Sequence, residues 1–195
     1  MNFRFYDILS HLVPGFIVYV ALLHYLSIDF KIEFVVPATA IAFIIGYYIN
    51  ALSSWAEDLY QWTWGGKPSD NLLRNNDIWK VRFYQSKKVR ELLANETDKN
   101  NPSYDELFNI AMRYANNSGN NRIGEFNASY AFSRVVLTTS VIISILTLIK
   151  YYYIIWLYPI AFLIIIMSWY RSKQRGYYYA KEVLSTYLHM KRVKQ

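Results

Sequence analysis

Basic and aromatic side chains alternate in one polar segment of the chain, and this pattern is suited to ligand binding. The cations are Arg74, Lys80, Arg82, Lys87, Lys88 and Arg90, with Trp79, Phe83 and Tyr84 among them. Guanidinium and ammonium groups pair with phosphates and aromatic rings stack on bases, so the segment predicts a nucleotide or oligonucleotide site. Positive charge lying against anionic lipid is the alternative interpretation, and it needs no ligand. Arg122, which precedes a long apolar stretch, is a further candidate ligand contact.

Hydroxyl side chains form a second pattern, along one face of an apolar stretch in the C-terminal half. This face carries Ser133, Ser140, Ser144 and Thr147. Uncharged hydroxyls on one helix face suit the lining of a water-filled pore, which a subunit of this size forms only as a symmetric oligomer. Hydrogen bonding between packed helices is the alternative interpretation of the same face.

Three charged or titratable residues are candidates for gating. Asp7 and His11 are four residues apart, so a helix places them on one face, as a proton-sensitive pair or as an interfacial hydrogen bond. Arg134 lies at the entry to the apolar stretch that carries the hydroxyls. A polyanion bound near Arg122 and Arg134 would be placed to shift that helix.

Catalytic patterns are missing from the sequence. The chain has three His and no Cys, and its His residues lie too far apart in the predicted topology to share a metal. It has no Gly-rich phosphate loop, nucleophile elbow or paired-carboxylate motif. We therefore expect no enzyme activity, no metal site and no cofactor.

The elements that must position these residues are four apolar stretches without Asp, Glu, Lys or Arg: 8–28, 34–56, 135–149 and 151–170. A hydrocarbon core needs about 20 apolar helical residues, and residues 130–134 extend the short third stretch to that length. The second stretch has a stripe at four-residue spacing that predicts a close helix contact: Ala38, Ala42, Gly46 and Asn50. The predicted fold is an all-α integral membrane protein, with four transmembrane helices in two hairpins and a small helical cytoplasmic domain.

The distribution of positive charge predicts the orientation. All but two of the 21 Lys and Arg residues lie at the termini or in the middle segment. The exceptions, Lys31 and Lys150, occupy the two short connections between paired spans. Because basic residues favour the cytoplasmic side, we expect both termini and the middle segment in the cytoplasm.

The chain accordingly divides into four parts. They are a first transmembrane hairpin, a cytoplasmic helical domain, a second hairpin and an amphipathic tail helix, at 1–56, 57–129, 130–170 and 171–195. Within the cytoplasmic domain we expect a helix over 77–95 and a second helix opened by a capping box from Ser103 to Glu106. One long helix over 123–149 should then enter the membrane, and the tail helix should begin near residue 172.

Three short motifs are the basis of a resemblance to a known protein family. They are Phe5-Tyr6-Asp7 leading into Pro14-Gly15, Gly65-Gly66-Lys67-Pro68-Ser69, and Asn121-Arg122 followed by Phe126, Tyr130, Phe132 and Arg134. With the overall layout, they resemble the small four-transmembrane effector proteins of bacterial anti-phage defence that are encoded beside nucleotide-signalling enzymes, as in Hailong-type systems.

The resemblance implies a homo-oligomeric channel or membrane-disrupting pore in the bacterial inner membrane, with a tetramer favoured. It also implies a cytosolic nucleotide or oligonucleotide signal, contact with membrane lipid and a functional link to a nucleotidyltransferase encoded nearby. The alternative is a non-conducting membrane sensor or scaffold that docks a soluble defence partner, as in Kiwa-type systems.

Overall fold

The computed structural model describes residues 5–29, 32–75, 81–99, 101–119 and 121–193, although the side chains of 5–9 and 193 lie outside that description. Every regular element within these residues is helical, which confirms the all-α prediction. The α-helices are α1 (Phe5–Tyr25), α2 (Val35–Trp55), α3 (Glu57–Thr63), α4 (Pro68–Arg74), α5 (Ser86–Ala94), α6 (Tyr104–Asn116), α7 (Asn121–Lys150) and α8 (Leu157–Val193), and a 3₁₀ turn at Ile32–Phe34 precedes α2.

The helices belong to two compact units. The first contains residues 1–58 and 131–172, and the second contains residues 59–130 and 173–195. Helices α7 and α8 each contribute residues to both units.

In the first unit, α1 and α2 pack closely through their glycines. A Cβ atom added to Gly46 would overlap the backbone carbonyl of His11, and one added to Gly15 would overlap the carbonyl of Ala42. Ala38, Ala42 and Gly46 are all buried on the same face of α2. The close contact predicted for these small residues is therefore present, and its partner is α1 of the same chain.

Two helical segments in the described residues are long and apolar enough to cross a membrane: Ile32–Trp55 and Asn121–Lys150. The apolar part of α1, Ser10–Tyr25, is shorter. The predicted stretch 151–170 differs from the structure at its start, because residues 151–156 form turns and α8 begins only at Leu157. The amide of Ile154 donates to the carbonyl of Tyr151 at 2.9 Å and closes one of these turns. Pro159, which lacks an N–H, then falls in the first turn of α8.

The tail does not form a separate helix. The prediction of a new helix near residue 172 was wrong, because α8 runs without a break from Leu157 to Val193. No proline interrupts it after its first turn, and Gly176 is accommodated where α8 approaches Trp64, Pro68 and Tyr130. Large buried residues of α8 then supply the core of the second unit, including Tyr177, Val183, Leu184 and Tyr187.

Helix α5 is shorter than the predicted helix over 77–95. It begins at Ser86, residues 81–85 are not helical, and residues 76–80 lie outside the described part. Val81 and Phe83 are buried while Arg82 and Tyr84 are exposed, so burial alternates with the two-residue period of extended chain.

The capping box of α6 is confirmed. Ser103 Oγ accepts from the Glu106 amide at 3.2 Å, and Glu106 Oε2 accepts from the Ser103 amide at 3.0 Å.

Candidate ligand-binding cleft

The second unit contains an open cleft of about 860 Å³ between α4, α5 and the start of α6. Its charged lining residues are Lys67, Asp70, Arg74, Arg90, Glu91 and Asp105. Tyr104 contributes an aromatic ring, and Asn101 and Ser103 contribute polar groups. The cleft therefore offers groups that bind phosphate and groups that accept hydrogen bonds.

The Gly65-Gly66 turn positions the α4 side of the cleft. Both glycines have positive φ, at 87° and 107°, a region that glycine adopts readily. Asn71 links the turn to α8 by two hydrogen bonds. Its Nδ2 donates to the Gly65 carbonyl at 3.3 Å and to the hydroxyl of Tyr177, a residue of α8, at 2.8 Å. Pro68 then opens α4, and Lys67 and Asp70 lie at its start on the cleft side.

Arg74 lies at the other end of α4. Asn75 follows the last helical residue in a left-handed conformation (φ 61°), which makes it a favourable C-cap. The Arg74 guanidinium carbon is 5.0 Å from the centre of the Tyr104 ring, within cation–π distance. Buried Leu72 and Leu73 hold α4 in the core, so Arg74 is left exposed at the cleft.

Helices α5 and α6 supply the remaining charges. Val89 and Leu93 are fully buried, and their positions on α5 direct Arg90 and Glu91 to the cleft. On α6, Asp105 accepts from Lys67 Nζ at 2.7 Å and 2.9 Å, through its two carboxylate oxygens. This ion pair joins the start of α4 to the start of α6.

Carboxylates balance the cations of the cleft. Burial raises the pKa of Asp70, and the nearby charge of Asp105 raises it further. The hydrogen bond from Ser69 and the charges of Lys67 and Arg74 act in the opposite direction but do not cancel the rise. Asp70 therefore lies where a cation or a hydrogen-bond donor would stabilise its charged form.

Only some of the predicted ligand-binding residues line the cleft. Arg74 and Arg90 line the cleft together, from two different helices. Arg82, Lys87 and Lys88 are exposed but do not line it. Arg122 is 3.6 Å from Glu182 in an ion pair and 6.0 Å from the Phe126 ring. Lys80 lies outside the described residues.

Sequence reasoning missed the other cleft residues, chiefly Lys67, Asp70, Glu91 and Asp105. Two of them had a signal in the sequence. Lys67 belongs to the Gly-Gly-Lys-Pro motif, and Asp105 lies within the capping box. Neither signal indicates that the two residues meet.

The predicted pore-lining hydroxyl groups are mostly buried or hydrogen-bonded within the chain. Ser133 and Ser144 are buried, and Thr147 is half-buried. Ser140 Oγ donates to the Val136 carbonyl at 2.8 Å and lies 3.0 Å from Ser168 Oγ of α8. Within one copy of the chain, this geometry fits the packing interpretation of the hydroxyl face.

The predicted gating residues have separate environments. His11 Nε2 lies 3.1 Å from Asn50 Nδ2, and the His11 ring contacts the ring of Tyr47. Arg134 forms an ion pair with Glu57. The side chain of Asp7 lies outside the described residues, so its predicted pairing with His11 stays a prediction.

No cluster of three or more metal-ligating side chains occurs in the described ranges. Comparisons with protein-family models, curated proteins and solved structures find no match for this chain.

Proposed function

We propose that the protein is a homo-oligomeric effector of the bacterial inner membrane, controlled by a phosphate-bearing ligand that binds the cytosolic cleft. In this proposal four segments span the membrane, both termini are cytosolic and the oligomer conducts ions. The carrying observation is the convergence of Arg74 and Arg90, from α4 and α5, on one cleft. Two arginines that line the same cleft suit phosphate recognition, because a guanidinium group pairs with phosphate oxygens.

Exposed apolar surface supports the membrane assignment. Val36 of α2 is 76% exposed, and Phe162 and Met167 of α8 are 66% and 64% exposed. Large apolar side chains left in water at this density mark an interaction surface. Trp55 and Trp156, 79% and 78% exposed, lie at the ends of apolar segments, where aromatic residues favour the lipid–water interface.

Chain continuity supports control of the membrane segments by the cleft. Lys67 and Arg74 follow α2 and α3 closely in the chain, and α6 leads directly into α7. A ligand that binds one conformation of the cleft more tightly would shift the population of the membrane segments. A few kcal/mol of differential binding is sufficient for such a shift.

A second candidate function is a non-conducting membrane sensor that docks a soluble partner. The Ser140–Ser168 contact and the burial of Ser133 and Ser144 favour it, because they leave fewer hydroxyls to line a pore. In this alternative the cleft has the same role, and the output is a protein contact instead of a current.

Planar-bilayer recording of the purified protein tests the proposal. We expect discrete conductance whose open probability changes when a nucleotide mixture is added on the side of the cleft. Arg74→Ala should abolish this response and leave the conductance itself. Arg113→Ala removes an exposed arginine of α6 that does not line the cleft, and it should respond like the wild type. Silent bilayers combined with Arg74-dependent nucleotide binding would favour the sensor, and a nucleotide response unchanged in Arg74→Ala would refute the assigned cleft.

A further inference from the structure

We infer that the ligand of the cleft is a single nucleotide with one or two phosphates, bound through its phosphates and its hydroxyl and amino groups, and not a polyphosphate or an oligonucleotide. This inference rests on the proposed function and specifies the ligand of the same site.

The charge balance of the cleft limits how many phosphates it accepts. Among the described residues, three cationic side chains and three carboxylates line the cleft: Lys67, Arg74 and Arg90, and Asp70, Glu91 and Asp105. Each further phosphate adds negative charge close to those carboxylates, and like charges at this range repel. A triphosphate or a strand of nucleotides would leave most of its charge without a partner.

The availability of the cations sets a similar limit. Lys67 is already paired with Asp105, with 2.7 Å between Nζ and Oδ2. A ligand phosphate must compete with Asp105 for the Lys67 ammonium. Arg74 and Arg90 are the arginines among the described residues that line the cleft, and a guanidinium group pairs with one phosphate through its planar fork. Two such groups match one or two phosphates.

The carboxylates of the cleft serve, in this inference, as hydrogen-bond acceptors for the ligand. Asp70 and Glu91 are acceptors, and the free hydroxyl and amino groups of a nucleotide are donors. The raised pKa of Asp70, caused first by burial and then by Asp105, is the property of a carboxylate that gains from such a donor. Inorganic phosphate at neutral pH offers fewer donors than a nucleotide.

The size of the cleft also favours one small molecule. Its volume of about 860 Å³ falls within the range typical of small-ligand sites. Proteins that bind single strands without sequence preference use an extended basic groove with successive stacking rings. Within the described part of the chain one ring, that of Tyr104, lines the cleft, and it is covered on one face by Arg74.

Isothermal titration of the full chain in lipid nanodiscs tests this inference. The probes are the four ribonucleoside monophosphates, the corresponding diphosphates and triphosphates, a twelve-residue oligodeoxyadenylate and inorganic phosphate. We expect at least one monophosphate or diphosphate to bind about tenfold more tightly than its triphosphate or inorganic phosphate. Arg74→Ala and Arg90→Ala should each weaken that binding about tenfold. Asp105→Asn should strengthen it several-fold by releasing Lys67.

Asp98→Asn is the matched control for Asp105→Asn, because Asp98 is exposed and does not line the cleft. It should leave the affinity unchanged. If the triphosphate or the oligonucleotide binds most tightly and loses affinity in Arg74→Ala, this inference fails and the proposed cleft stands. If no probe binds, or if Arg74→Ala and Arg90→Ala change nothing, the proposed ligand site fails as well.

Discussion

Arg134 of α7 forms an ion pair with Glu57, the first residue of α3. The Arg134 side chain is 11% exposed and that of Glu57 is 29% exposed, so the pair is largely removed from water. Glu57 follows the C-terminal end of α2 after a single residue. The ion pair therefore ties the end of one candidate span to the helix that contains the other.

Removing one partner of this pair should destabilise the protein strongly. Glu57→Gln leaves the buried Arg134 charge without its carboxylate, and buried charges that lose a partner cost about 3 kcal/mol. We expect a clear fall in the thermal unfolding midpoint, measured in detergent micelles. Glu125→Gln removes an exposed carboxylate from α7, the helix that contains Arg134, and serves as the control.

Replacing both residues of the ion pair distinguishes the effect of an unpaired charge from the effect of lost side-chain packing. Methionine at both Glu57 and Arg134 removes the two charges together and should recover most of the stability lost in Glu57→Gln. A double variant as unstable as the single one would show that the ion pair is not the source of the stability.

The contact between α1 and α2 should not tolerate a larger residue at Gly46. Gly46→Leu places a side chain where even a Cβ atom would overlap the His11 carbonyl, so the helices must separate. We expect a loss of folded protein in the membrane fraction, measured as resistance to limited proteolysis. Ala40→Leu adds the same side chain at an exposed position of α2 and should behave like the wild type. Wild-type resistance in Gly46→Leu would contradict the observed packing.

The sequence predicted those helices whose start or length is set by a motif within the helix itself. The capping box at Ser103 and Glu106 marks the start of α6, and the apolar stretch 135–149 marks the C-terminal half of α7. The start of α5 was misplaced because Val81 was assigned to the same helical face as Val89 and Leu92, although Val81 and Phe83 have the two-residue spacing of an extended segment. Periodicity over so few residues does not separate the two structures.

The cleft was less predictable because its contacts are long-range. Arg74 and Arg90 could be selected as cations near aromatic residues. The pairing of Lys67 with Asp105 joins residues 38 positions apart, and only the packing of α4 on α6 brings them together. Similarly, the sequence shows a hydroxyl face on α7, but not that Ser140 meets Ser168 of α8.

Labelling in intact cells should establish the orientation of the connections. The two short connections between paired apolar stretches carry one basic residue each, Lys31 and, at the end of α7, Lys150, so these connections should face away from the cytoplasm. A cysteine at Asp29 should react with a membrane-impermeant maleimide, and a cysteine at Asn117 should react only after lysis. The native chain has no cysteine, so labelling reports the introduced site alone. The reverse pattern would overturn the proposed orientation.

Two buried tyrosines on α8 should respond in opposite ways to loss of their hydroxyl groups. The Tyr177 hydroxyl accepts from Asn71 at 2.8 Å, whereas the buried Tyr187 hydroxyl has no hydrogen-bond partner within the described residues. Tyr177→Phe leaves the Asn71 amide short of an acceptor and should cost about 1–2 kcal/mol. Tyr187→Phe removes an unsatisfied polar group and should leave stability unchanged or raise it.

The pH dependence of unfolding provides an independent measurement on Tyr187. Burial, followed by the charge of Glu96, raises the pKa of Tyr187 to about 12, against an ordinary value of 10.0. The folded protein therefore holds this proton at pH values where the unfolded chain has lost it, so stability falls as pH rises from about 10 towards 12. Below pH 10 both states are protonated and this tyrosine adds no slope. Chemical unfolding of Tyr187→Phe should show a shallower decline above pH 10 than the wild type, and an identical decline would mean that Tyr187 ionises normally in the folded protein.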